Sequence, residues 1–98
     1  MLYMYVCRWA PDKQGEVIKR FGEIGNWVPK GAKEIGGWSS INGSLSFRLI
    51  DIPGADPKVM GALTIAWSDI MTGEAVPVVD SKEIMQLMGE AMKLIPNK

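Results

Sequence analysis

The stretch Trp67-Ser68-Asp69-Ile70-Met71-Thr72-Gly73-Glu74-Ala75-Val76-Pro77-Val78-Val79-Asp80-Ser81 constrains the fold of this chain more than any other. It reads as the end of a helix, a glycine turn, a short strand carrying a proline, and the cap of another helix. Pro77 has no N–H to give to a ladder, so the strand Glu74–Val79 belongs at a sheet edge or at a bulge. Asp80 with Glu83 has the spacing of a capping box for a last helix, whose apolar stripe is Ile84, Leu87, Met88, Ala91 and Ile95.

The rest of the chain supplies the elements this segment must join. Leu2–Trp9 is rich in aromatic and β-branched residues and predicts a first strand. Ala10-Pro11-Asp12 breaks it, and Val17, Ile18, Phe21 and Ile24 then recur at helical spacing over Gln14–Ile24, with Gly25-Asn26 as the stop. Ala32–Ile41 predicts a second strand, interrupted by Gly36-Gly37 in a way that suggests a bulge or a close backbone approach. Asn42-Gly43 is a strong hairpin signal. The third strand, Ser44–Ile52, alternates Leu45, Phe47 and Leu49 on one face with Ser46, Arg48 and Ile50 on the other. After Pro53-Gly54, Asp56 caps a helix with Pro57 at its first position, and Met60, Leu63, Trp67 and Ile70 form its buried stripe.

The resulting order is βαββαβ plus a C-terminal helix. It predicts one α+β domain over residues 1–98, a ferredoxin-like four-stranded antiparallel sheet with both main helices on one face. The first strand is apolar on both sides: Leu2, Met4 and Val6 point one way, and Tyr3, Tyr5, Cys7 and Trp9 the other. Helices cover one face only, so the uncovered face predicts a homodimer in which a second sheet closes a dimeric α+β barrel.

Composition narrows the function. With 11 basic and 11 acidic residues dispersed along 98, no basic stripe is available for a nucleic acid or an anionic membrane. The third strand also lacks the basic-glycine-aromatic pattern of an RNA-recognition motif, which shares the same element order. No apolar run approaches the ~20 residues of a membrane span. The opening Met1-Leu2-Tyr3-Met4-Tyr5-Val6 lacks the basic region of a signal peptide, and the single cysteine, Cys7, makes a reducing cytoplasm the expected location. There is no histidine. That removes the commonest general base and the usual metal and nucleophile partners, so neither a metal site nor a cofactor is expected and no catalytic residue is assigned.

Several of these residues recur in one order: Met1-Leu2-Tyr3-Met4, Val28-Pro29-Lys30-Gly31, Trp38, Phe47-Arg48-Leu49-Ile50-Asp51, Trp67-Ser68-Asp69, Glu74-Ala75-Val76-Pro77-Val78 and Ser81-Lys82-Glu83. In this the chain resembles a small bacterial and archaeal family, a domain of unknown function within the dimeric α+β barrel group. Arg48 and Asp51 depart from the family pattern, which has an uncharged amide and a glutamate there. The resemblance implies paired sheets with helices outside. Better-known relatives, such as the small antibiotic-biosynthesis monooxygenases, hold a ligand between sheet and helices.

The candidate ligand-binding residues are accordingly Trp38, Arg48, Trp67 and Glu74. Flat aromatic ligands sit in mostly apolar pockets with few polar anchors. Trp67 is equally required by the core stripe, so its role is shared. Arg48 lies mid-strand on a strand that should be central, so it needs a carboxylate or an anionic ligand; Glu74, Asp69 and Asp51 are the candidates. Asp69 and Glu74 together suit acid–base work only if burial raises one of them, and a solvated helix end with an edge-strand charge explains both without chemistry. Two readings follow: a domain binding a small apolar or aromatic molecule between sheet and helices, or a non-catalytic regulatory or interaction module that dimerises through its sheet.

Overall fold

The computed structural model describes residues 1–25 and 27–96. The elements in chain order are β1 (Leu2–Arg8), α1 (Gln14–Ile24), β2 (Lys33–Ser39), β3 (Leu45–Asp51), α2 (Pro57–Ile65), β4 (Thr72–Pro77) and α3 (Ile84–Met92), with single 3₁₀ turns at Pro11–Lys13 and Pro53–Ala55. The strands form one antiparallel open sheet in the order β2-β3-β1-β4. The proline strand therefore lies at an edge, where its missing N–H costs no ladder bond. It begins two residues earlier than expected because Thr72 pairs with Arg8 and its hydroxyl donates to the Arg8 carbonyl, 3.3 Å.

Register sorts the side chains into two faces. Tyr3, Tyr5 and Cys7 of β1 lie beside Ile50, Arg48 and Ser46 of β3 on one face; Met4, Val6 and Arg8 lie beside Leu49, Phe47 and Leu45 on the other. The first face carries the core. Tyr5, Cys7, Ile50 and Ile52 pack against Val59 and Leu63 of α2, while Val17 of α1 packs against Trp67 and Ile70. Among the described residues, no helix is long and apolar enough to cross a membrane.

The α2 start follows the sequence: Asp56 Oδ1 accepts from Lys58 N at 2.9 Å, and Pro57 opens the helix. Its end does not. Regular helix stops at Ile65, and Trp67 and Ile70 reach the core from the turns that follow. The Asn42-Gly43 hairpin is also longer than a two-residue turn. Positive φ falls on Gly43 (78°) and Ser44 (67°), and Ser40 N closes the loop onto the Leu45 carbonyl. Ser44 adopts that conformation with its carbonyl accepting from Trp9 N, 3.1 Å. In the stop after α1, Gly25 has φ 59° and its N–H donates to the Phe21 carbonyl, while Asn26 lies outside the described residues.

Two expected apolar stripes are placed differently. On α1 only Val17 is buried; Ile18, Phe21 and Ile24 are exposed. On α3 the stripe is exposed throughout, apart from the half-buried Ile84. The expected capping box is absent there. Asp80 Oδ1 accepts from Lys82 N instead, and the helix starts a turn later, after Glu83. α3 projects from the rest, and the molecule extends 52 × 29 × 22 Å with a radius of gyration of 16.1 Å. A compact chain of this length would have ~13 Å.

Candidate ligand-binding cleft

A cleft of about 460 Å³ opens between the helix-bearing face of the sheet, α1 and the turn after α2. Tyr5 and Cys7 of β1 and Ser46 and Arg48 of β3 form its floor, Phe21 of α1 with Trp67 and Met71 its roof. The cleft exists because α1 is anchored only along one line. Val17 fills the contact with Trp67 and Ile70, whereas Phe21 stands off from the sheet and stays exposed.

At the floor lies a half-buried ion pair. Arg48 Nε donates to Glu34 Oε1 at 2.8 Å, with the side chains 14% and 16% exposed, and Arg48 Nη2 donates to the Trp27 carbonyl at 3.1 Å. The glycine pair in β2 makes this contact possible. Pairing steps from Glu34–Ile50 to Gly36–Leu49, so Ile35 is an extra, bulged residue. The bulge returns Glu34 and Gly37 to the same face as Arg48. A Cβ at Gly37 would stand 3.2 Å from Glu34 Oε1, in the place the carboxylate uses. The guanidinium has five N–H donors, so donors remain for a ligand oxygen.

The other polar groups are held nearby. Tyr5 Oη and Thr64 Oγ1 share a hydrogen bond of 2.8 Å, and the tyrosine ring crosses Gly73, where a Cβ would come within 2.6 Å of it. Trp9 Nε1 donates to Gln14 Oε1 at 2.5 Å. Trp67 Nε1 is buried and finds no acceptor among the described residues. The Trp67 ring lies 5.9 Å from the Arg20 guanidinium, which also grips both oxygens of Asp69 (2.5 and 2.7 Å) and the Ala66 carbonyl. Arg20 thereby ties α1 to the segment that carries Trp67. Burial raises both the Tyr5 hydroxyl and the Cys7 thiol above their ordinary pKa values, so neither is a ready base near neutral pH. The arrangement suits binding of a flat, largely apolar molecule with one acceptor group, rather than proton transfer.

A family model described as a domain of unknown function, DUF3303, matches residues 1–92. The chain belongs to the DUF3303 family. No curated protein and no solved structure matches it. The DUF3303 match takes in every element described above, α3 included.

Within this DUF3303 chain the cleft brings together Arg48, Trp67 and Trp38. Trp38 differs from the other two. Register pairs it with Phe47 on the far face, its ring lies across Gly36, and it meets the cleft at the β2 edge. Glu74 lies outside the cleft. It sits on β4 beside Val6, on the opposite face and two strands away from Arg48, so the contact expected between them does not form. The other expected carboxylates are engaged elsewhere, Asp51 with the N-terminal ammonium at 3.3 Å and Asp69 with Arg20. Glu34, the actual partner, was hidden by its separation of 14 positions. The Gly36-Gly37 pair was its signal.

Proposed function

We propose that this DUF3303 protein binds a small aromatic or apolar molecule in the cleft between sheet and helices. The observation that carries the reading is the cleft itself. Met60 and Leu63 fill the α2 half of that interlayer space, whereas the α1 half stays open at a volume usual for ligand sites and is walled by aromatic rings around one arginine. The test is a thermal-shift screen with aromatic acids, quinones and flavins. At least one class should raise the melting temperature in a concentration-dependent way, and Arg48→Met should weaken the effect for the acids. No shift with any class at millimolar concentration overturns the reading.

A second reading, a non-catalytic interaction module that dimerises through its sheet, is favoured by a separate observation. Leu2, Met4, Val6, Leu45, Phe47, Leu49 and Val76 share the face without helices, and none of them packs into either core cluster. Such a face supports a homodimer built as a ferredoxin-like dimeric α+β barrel. The two readings are compatible, since the cleft floor lies on the helix-bearing side of the sheet and the cleft meets the open face only along the β2 edge. The lone, buried Cys7 agrees with a cytoplasmic setting. Light scattering should give twice the protomer mass at micromolar concentration; a monomer refutes the dimer.

A further inference from the structure

The floor of the cleft carries one positive and one negative charge, and they cancel. Among the described residues that line it, Glu34 and Arg48 are the charged ones. The guanidinium is pinned by two bonds, from Nε to Glu34 Oε1 at 2.8 Å and from Nη2 to the Trp27 carbonyl at 3.1 Å. Two polar atoms of the pair are left over. Among the described residues, Arg48 Nη1 donates to nothing and Glu34 Oε2 accepts from nothing. Neither is sealed from water, since the sealed polar atom without a partner is Trp67 Nε1. The pair therefore offers a fixed donor and a fixed acceptor to whatever enters the cleft.

We propose that the ligand of this cleft is a neutral, planar cyclic amide (a ring lactam or imide), whose carbonyl accepts from Arg48 Nη1 and whose ring N–H donates to Glu34. The inference rests on the cleft being a binding site, as proposed above. Charge decides against an anion. Glu34 already matches the Arg48 charge where both side chains are largely covered, so a ligand carboxylate at Arg48 also meets the Glu34 carboxylate. A cation meets the converse obstacle in Arg48. A neutral group with an acceptor alone displaces water from Glu34 Oε2 and gives it no donor in return, which costs free energy. A cyclic amide satisfies both atoms, because it carries C=O and N–H side by side on one flat ring. The walls suit the same shape: Trp9, Phe21, Trp38 and Trp67 border the space with aromatic surface, and about 460 Å³ suits a fused-ring molecule. Of the classes in the thermal-shift screen, flavins carry such an edge, whereas quinones and aromatic acids lack the N–H. Glu34 is then a specificity residue, and the bulge at Ile35 with glycine at position 37 is what presents it.

Three probes of similar size separate these contributions: 2-quinolone, N-methyl-2-quinolone and 2-naphthoate. Each is titrated into labelled protein and its dissociation constant is read from NMR shifts. In the wild type, 2-quinolone should bind roughly tenfold more tightly than either of the others, because methylation removes the donor and the naphthoate brings a second carboxylate. Glu34→Gln should reverse the preference. Its amide oxygen takes the Arg48 Nε–H, its NH₂ group then faces the ligand N–H, and the Arg48 charge is unmatched, so 2-naphthoate should become the tightest of the three. In Glu34→Gln/Arg48→Met both anchors are gone, and 2-quinolone and its N-methyl derivative should bind equally. The wild-type comparison needs no variant and decides alone if either variant fails to fold. Comparable affinity of 2-quinolone and its N-methyl derivative for the wild type, tightest wild-type binding by 2-naphthoate, or an unchanged order in Glu34→Gln overturns the inference and leaves the cleft as a binding site. If none of the three binds while another class raises the melting temperature, the cyclic amide is refuted and the cleft reading stands. If no class does, both fail.

Discussion

Gly73→Ala provides a sharp test of how the cleft floor is built. A Cβ at Gly73 would lie 2.6 Å from Tyr5 Cε1, 2.6 Å from Tyr5 Oη and 2.8 Å from Tyr5 Cζ, all closer than real Cβ contacts come. Tyr5 is buried and its hydroxyl is fixed to Thr64, so the ring cannot swing aside without breaking that bond. Overpacking a fitted site costs ~1–3 kcal/mol and losing the hydrogen bond ~1 kcal/mol. Replacing glycine recovers ~0.5–1 kcal/mol by restricting the unfolded chain. The net expectation is a loss of about 2 kcal/mol, read from urea unfolding with an unchanged m-value. In a Tyr5→Leu background the ring is gone, and the same alanine should cost less than ~0.5 kcal/mol, giving a coupling of at least ~1 kcal/mol. If Gly73→Ala lies within ~0.5 kcal/mol of wild type, or if its cost is the same with and without Tyr5, the ring does not occupy the space that Gly73 leaves.

Other outcomes follow from the same contacts. Glu34→Ala leaves the Arg48 guanidinium without its carboxylate in a largely covered place and should destabilise by about 2–3 kcal/mol, below the full cost of a wholly buried pair; Glu34→Gln/Arg48→Met should restore most of that in the same urea assay. The Asp69 carboxyl is lowered to about 2, chiefly by its hydrogen bonds to Arg20, from an ordinary value of 3.8. A group depressed on folding stabilises above its unfolded value and loses that contribution as pH falls through the folded one. Asp69→Asn should therefore remove stability at neutral pH and flatten the acid limb between about pH 4 and 2, and a carboxyl titration followed by NMR should show the Asp69 midpoint near 2. Cys7 is buried at the cleft floor and its thiol is raised by desolvation, so at pH 8 it should react with a small disulfide reagent more slowly than a free thiol does; labelling as fast as a free thiol would contradict its placement.

What the sequence disclosed and what it concealed divide along the range of the interactions. Signals confined to a few neighbouring residues were legible: the α1 bounds at Gln14 and Ile24, the Asp56-Pro57 start of α2, the edge position forced by Pro77, and the alternation that puts Arg48 with Ile50. Features set by pairing across the sheet were not. Glu34 reaches Arg48 only because a bulge at Ile35 changes its face, and a strand pattern without its partner cannot show that flip. Apolar periodicity reports which side of a helix avoids water, not what covers it. On α1 the stripe is real, yet Phe21 and Ile24 stay exposed; on α3 it is real, yet among the described residues none of it joins either core cluster. Trp38, Arg48 and Trp67 were recognisable as residues needing partners. Glu74 has the charge and the place beside the turn that such a site would use, but pairing with Val6 sends it to the other face.

The central claim is that the space under α1 is a binding site rather than a packing gap. Chemical-shift mapping on labelled protein, titrated with the ligand class that stabilises best, tests it directly. The account predicts shifts at the indole N–H groups of Trp67 and Trp9 and at the backbone of Gly37 and Ser39, with Glu74 and Val76 unmoved. Shifts confined to Met4, Val6, Leu49 and Val76, on the open face of the sheet, would contradict it.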